Sequence, residues 1–218
     1  MVEKIGEISI ILPLGHFCQL SNLLKVNNLK KFSLPFDWIR CSIKCVSHML
    51  NDDFKIFMDK KYYIDNTIKN KNLQLHKCSH AFYENNFKCT RVWNHHNMFD
   101  EKDYHYYKRC IDRFKNCLNS EKPKLFCRLN INMIDELDEI YLLDSSISRL
   151  CKKQNYYLLI IHVFTGRDNK SHKLIRINDK IYIINMFLKS SSNGMEFLNN
   201  DDNKYLMETI KQYFKFLI

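Results

Sequence analysis

The sequence predicts a single α/β domain over residues 1–218, with a central sheet and helices packed on it. Three observations carry that prediction. Apolar runs of strand length alternate with stretches of helical periodicity. The run Tyr156–Phe164 (YYLLIIHVF) is continuously apolar, as a strand covered on both faces is. Residues 100–119 place Tyr107, Cys110, Ile111, Phe114, Cys117 and Leu118 on one helical face. With 218 residues, 45% of them hydrophobic, the chain is long enough for a sizeable core.

Taken in order, residues 7–13 (EISIILP) read as a buried first strand. Residues 17–27 read as a helix carrying Phe17, Leu20, Leu23, Leu24 and Asn27 on successive turns. The segment SLPFDWIR (33–40) is a turn, because Pro35 keeps Leu34 out of helical geometry, and its Phe36 and Trp38 read as a packing anchor. Residues 41–50 are helical again. Short aromatic runs between 54 and 93 (YYID, NLQLH, FKCTRVW) suggest small strands and loops. The helix at 100–119 takes Asp100 or Asp103 as its cap. A strand at 123–130, a helical region at 133–153, the strand at 156–164, a hairpin-like pair at 173–188 and a helix at 203–217 complete the chain. The sheet is expected from the strands near 7, 123, 156 and 180. The polar KSSSNG at 189–194 is linker-like but lies too near the end to separate domains.

Composition narrows the function classes. No apolar run approaches the roughly 18 to 20 residues of a membrane span, so no membrane partner is expected. The N-terminus lacks the basic start and longer apolar centre of a signal peptide. The expectation is a soluble cytoplasmic protein, in the host cytoplasm if viral. Nine cysteines without a CxxC pair read as core hydrophobes in a reducing compartment. The net charge is +10, yet 26 of the 34 basic residues are Lys, spread along the chain and accompanied by 23 Asn. That is the bias of an AT-rich genome, and with no Arg-rich helix a nucleic-acid partner is not expected. No cofactor is implied, and no pattern fixes an oligomeric state.

The chemistry concentrates at LPLGHFCQL (12–20). A strand that ends at Gly15, a tight turn and Cys18 in the first turn of a helix would activate the thiol. A helix start can lower a thiol pKa from about 8.5 into a range of roughly 3.5 to 7.5. The N–H of Cys18 or Gln19 can serve an oxyanion hole, which makes Gly15 and Gln19 candidate substrate-binding residues. The plainer alternative is that Cys18 is one more of nine cysteines.

Read further, the stretch LGHFCQLSNLLKVNNLKKFSLPFDWIR resembles a papain-like cysteine peptidase family of otherwise unknown function, found in bacteria and large DNA viruses. The resemblance rests on L-G-x-x-C (Leu14, Gly15, Cys18) and on S-x-P-F-D-W (Ser33, Pro35, Phe36, Asp37, Trp38). It extends to NHHNMFD (94–100), to YYKRCIDRF with Arg109, Arg113 and Phe114, and to KLFCR ending in Arg128. The acidic residue expected after the histidine is replaced by His96.

The resemblance implies a Cys–His–Asx hydrolase in which an imidazole takes the thiol proton and a third group fixes its tautomer. It favours His95 as base. His162, on a strand and followed by Asn185 on a later one, is the second choice, the alternative being a satisfied core histidine. His16 reads as a solvated turn residue. Asp37 either orients the base or caps structure. Arg128 either binds an anionic group or pairs with a buried acid, for which Asp37 is the obvious candidate. The group His76, Cys78, His80, Cys89, His95 and His96 lacks a standard zinc spacing and is expected to hold no metal. The leading reading is a thiol hydrolase of peptide, amide or isopeptide bonds in a protein or peptide substrate. Its alternatives are a non-catalytic binding domain on the same fold, or a glycan- or nucleotide-sugar-related domain that holds phosphate at the helix start.

Overall fold

A computed structural model describes residues 3–68, 73–152 and 155–218. In chain order its elements are β1 (Gly6–Ile8), β2 (Ile10–Pro13), α1 (Cys18–Val26), α2 (Ile43–Asn51), β3 (Tyr63–Asp65), β4 (Cys78–His80), α3 (Ala81–Phe87) and α4 (Glu101–Asn119). There follow β5 (Lys124–Ile131), α5 (Leu137–Leu150), β6 (Tyr156–Phe164), β7 (Ser171–Arg176), β8 (Ile181–Phe187), α6 (Asn200–Tyr213) and β9 (Phe214–Phe216). The central sheet has the order β2-β5-β6-β8-β7, parallel except for β7 at the edge. This is the α/β architecture the sequence predicts, with the strands near 123, 156 and 180 side by side.

Strand periodicity divides the core into two layers. Phe126, Leu158, Ile160, Ile181 and Ile183 face one cluster, which α2, α4 and α5 complete with Val46, Phe114 and Leu143. Leu125, Leu129, Leu159, Ile161, Ile184 and Met186 face the other, closed by Leu20 and Leu24 of α1 and Leu206 and Ile210 of α6. Every expected core residue of α4 is buried, and Asp100 caps it by accepting from the Lys102 N–H at 2.9 Å. No helix among the described residues is long and apolar enough to cross a membrane.

Several local expectations need correcting. The first strand is broken at Ser9: β1 leaves the central sheet and pairs in parallel with β9. The last helix accordingly stops at Tyr213, and the residues expected to continue it form that short strand. Of the aromatic runs, YYID supplies β3, which pairs with β4. Residues 73–76 and FKCTRVW form no strand beyond a single bridge from Trp93 to Ile39. Residue 72, and residue 153 at the expected end of the fifth helix, lie outside the described residues. The packing anchor is Phe36, fully buried against Phe54 and Phe114, whereas Trp38 is only half-buried.

Sheet register also builds a polar row. Asn130, His162 and Asn185 are direct cross-strand neighbours near the C-terminal ends of β5, β6 and β8. All three share the face of Arg128, two residues before Asn130, because side chains alternate along a strand. The loop after β5 folds Asp135 onto this row. Its carboxylate accepts from Arg128 Nε at 2.9 Å and from Asn130 Nδ2 at 2.6 Å, and its N–H donates to His162 Nε2 at 3.2 Å.

Candidate active site

The site lies beyond the C-terminal ends of the parallel strands, where open α/β sheets hold their ligands. β2 ends at Pro13, and the turn to α1 runs through two successive left-handed residues, Gly15 (φ 72°) and His16 (φ 74°). Glycine suits the first for a second reason: a Cβ there would sit 3.1 Å from Cys41 Sγ, tighter than an ordinary contact. Phe17 caps α1 in extended geometry without a side-chain bond, so Cys18 occupies the first helical position.

Cys18 is partly exposed, while the other eight cysteines are buried. It lines a pocket of about 300 Å³ together with His95, Asn94, Arg40, Arg91 and residues 193–195. Among the described residues no hydrogen bond joins its thiol to an imidazole. Contrary to expectation, the thiol pKa is raised. Burial is the larger effect and the Asp37 charge adds to it, while the backbone N–H of Cys18 pulls the other way. Here desolvation outweighs the helix start.

His95 sits on the exposed side of the pocket with the Asn94 amide nitrogen, Nδ2, 3.0 Å from its Nε2. Burial and the neighbouring His96 lower its pKa, so it is neutral at pH 7. Asn94 is a polar neighbour of this ring that sequence reasoning missed, and its adjacency in the chain was the only available signal.

His162 is differently employed. Its Nδ1 lies 3.3 Å from Asn185 Oδ1, while its Nε2 accepts from the Asp135 N–H. Both ring nitrogens are therefore engaged within the sheet, and the residue does not line the Cys18 pocket. Asp37 is fully buried and holds structure together: it pairs with Lys30 at 2.5 Å and accepts from Ser21 Oγ at 3.0 Å and the Leu34 N–H at 2.7 Å. The expected Arg128–Asp37 pair does not form, because Arg128 is taken by Asp135 and also donates to the carbonyls of Leu14 (2.9 Å) and Cys41 (3.1 Å). The Gln19 side chain is buried and accepts from Ser192 Oγ, which ties α1 to the loop that walls the pocket.

His16 departs furthest from expectation. Rather than solvated, it is 6% exposed, packed edge-on to Phe17 with Nδ1 3.5 Å from Arg128. Burial first, then the Arg128 charge, lowers its pKa to about 4. His80 is buried as well, its Nε2 3.0 Å from the Ile56 carbonyl oxygen, and burial lowers its pKa to about 4. Both rings are neutral when folded, but in the unfolded chain they protonate near pH 6.5. As pH falls from about 6.5 to about 4 the unfolded state takes up more protons, so stability is lost across that window and levels off below it. The expected loss is on the order of 2 to 3 kcal/mol per ring. Urea midpoints from pH 4 to 7 measure it, and His80→Gln should flatten the slope. An identical slope in that variant would refute the assignment.

The remaining histidines and cysteines of the 76–96 segment are dispersed. His96 Nδ1 lies 3.1 Å from Asp103, and Cys89 donates to the Arg40 carbonyl. Among the described residues no group of three or more His, Cys, Asp or Glu is placed to hold a metal ion.

A second pocket, about 650 Å³, adjoins the first and shares His16, Arg40 and Arg91 with it. It continues over Arg128 and Asp135 to Glu136 and Glu139 at the start of α5.

No curated protein and no solved structure matches the chain. One family model does, across residues 9–165, a stretch that holds Cys18, Asn94, His95 and Arg128 and ends after β6. The match takes in well over half of the sequence, and the chain belongs to the family described as "Putative papain-like cysteine peptidase".

Proposed function

We propose that the protein is a thiol hydrolase of peptide, amide or isopeptide bonds in a protein or peptide substrate, with Cys18 as nucleophile and His95 as base. The observation that carries this reading is a shared pocket. The one cysteine that is not buried among the described residues opens onto the same 300 Å³ space as an imidazole with a polar orienting neighbour.

At neutral pH the pair rests as thiol and neutral imidazole, since burial raises the one pKa and lowers the other. With the Asn94 amide turned so that its Oδ1 accepts from Nε2–H, Nδ1 of His95 is left free as the base. It takes the Sγ proton as the thiolate attacks the acyl carbon. The C–N bond then breaks, and the imidazolium returns the proton to the leaving nitrogen. Water cleaves the thioester, giving a carboxylic acid and restoring the thiol. The backbone N–H of Cys18, which already acts on its own thiol at the start of α1, is a donor for the oxyanion.

A peptide library from a digested proteome, incubated with wild type and Cys18→Ala and read by mass spectrometry, tests the reading. New termini are expected with the wild type alone. In parallel, iodoacetamide should label Cys18 before the other eight cysteines, slowly at pH 6.5 and faster above pH 8, as a raised pKa requires. Equal cleavage by the variant removes Cys18 from its role. No cleavage by either protein, with Cys18 no more reactive than the buried thiols, leaves the non-catalytic binding domain, which the raised thiol pKa favours.

A further inference from the structure

We infer that Arg40 and Arg91 form an anion-recognition subsite beside Cys18, so that the acyl group offered to the thiol carries a carboxylate or phosphate close to its scissile carbonyl. The inference rests on the hydrolase reading above and names its substrate class.

The first ground is the distribution of charge. The pocket that holds Cys18 and His95 is lined by two guanidinium groups and by no carboxylate. Acidic residues enter only in the adjoining pocket, and two of them are already paired: Asp135 with Arg128, and Glu139 with Lys44 at 2.9 Å. Among the described residues neither Arg40 nor Arg91 has an ion-pair partner. Two like charges around a concave space repel each other, and an entering anion relieves that repulsion. Guanidinium groups also suit carboxylate and phosphate geometry, offering paired N–H donors to paired oxygens.

The second ground is position. Both arginines line both pockets, so they stand where the two spaces meet. Arg40 holds its guanidinium over the Phe17 ring, with Cζ 5.4 Å from the centroid, one residue from Cys18.

The third ground is an unpartnered group. His16 is 6% exposed and lines both pockets, and its Nε2 meets no hydrogen-bond partner. A buried polar nitrogen without a partner is costly, and a ligand oxygen between the arginines would satisfy it. Because its pKa is held near 4, His16 offers this contact as a neutral ring.

The test compares two alkylating agents of like size, anionic iodoacetate and neutral iodoacetamide, on the full chain, with Cys18 read by peptide mass mapping. At one pH the thiolate fraction cancels from the ratio of the two rates. That ratio should exceed the glutathione ratio by about tenfold, the lower end of what a charged cleft does to local ion concentration. It should fall to the glutathione value in Arg40→Gln/Arg91→Gln and on raising salt.

Calorimetric titration with N-acetylglutamate and with inorganic phosphate then tells the two anion sources apart, since the one that binds wild type and not the double variant is the one recognised. A ratio equal to that of glutathione, unchanged in the variant and with neither anion bound, overturns the subsite while leaving a reactive Cys18 and the hydrolase reading intact. If Cys18 resists both reagents, the hydrolase reading falls. Anion binding that depends on the two arginines then still upholds the subsite, and its absence removes that too.

Discussion

Replacing Arg128 with methionine is expected to destabilise the protein by about 3 to 5 kcal/mol, the range for breaking a buried ion pair on one side only. The side chain is 1% exposed, and its guanidinium serves three oxygen acceptors at once: Asp135, the carbonyl of Leu14 at the end of the first central strand, and the carbonyl of Cys41 ahead of α2. Methionine fills a similar volume but donates nothing. The Asp135 carboxylate then loses its counter-charge, and two carbonyls are stranded. Urea denaturation measures the loss. Adding Asp135→Asn to Arg128→Met should restore at least about 1 kcal/mol, because the uncompensated charge is removed while an acceptor for Asn130 remains. A single variant within about 1 kcal/mol of wild type would show that the pair contributes nothing net.

The second large effect is expected at Trp93. Its ring is fully buried and packs on Tyr63 (4.9 Å between centroids), Phe57 (5.3 Å) and His80 (5.3 Å). Trp93→Ala should cost about 3 to 5 kcal/mol, as large aromatic truncations in cores do. Trp38→Ala, although Trp38 belongs to the family motif, should cost about half as much or less, because the ring is only half-buried and less area returns to water. Denaturation midpoints of the two variants side by side check the order. A costlier Trp38→Ala would mean that the motif tryptophan, and not Trp93, anchors this layer.

That contrast illustrates what the sequence makes legible. Periodicity reports which face of an element is apolar, so the buried stripe of α4 and the strand at Tyr156–Phe164 are readable residue by residue. The start of α1 is readable too, since Gly15 and the apolar repeat bracket Cys18.

Periodicity does not report register or partner. The Asn130–His162–Asn185 row exists because three strands align at those positions, and nothing local in LLIIHVF announces it. The β1–β9 pair joins residues more than two hundred apart through three-residue strands, too short to stand out from their flanks. His16 looked like a turn residue in water because local sequence cannot show that Phe17, Arg128 and the backbone before α2 close over it. The raised thiol pKa was hidden for the same reason. A helix start is a local feature, whereas desolvation depends on everything that packs around it.

The pocket wall at residues 193–195 has a consequence for the order of synthesis. Asn22 of α1 donates to the Met195 carbonyl at 3.1 Å, and Gln19 accepts from Ser192, so the loop is fastened to the helix that bears Cys18. His95 leaves the ribosome about a hundred residues before that wall does, and Cys18 earlier still, and the wall itself lies between β8 and α6. A nascent chain therefore carries the thiol and the imidazole without an enclosed space between them. Closure is coupled to completion of the sheet through contacts of long sequence separation, which form late. On the proposed hydrolase reading, whatever reactivity that pocket confers is withheld from the unfinished chain, at a stage when its own peptide bonds lie exposed and closest to hand.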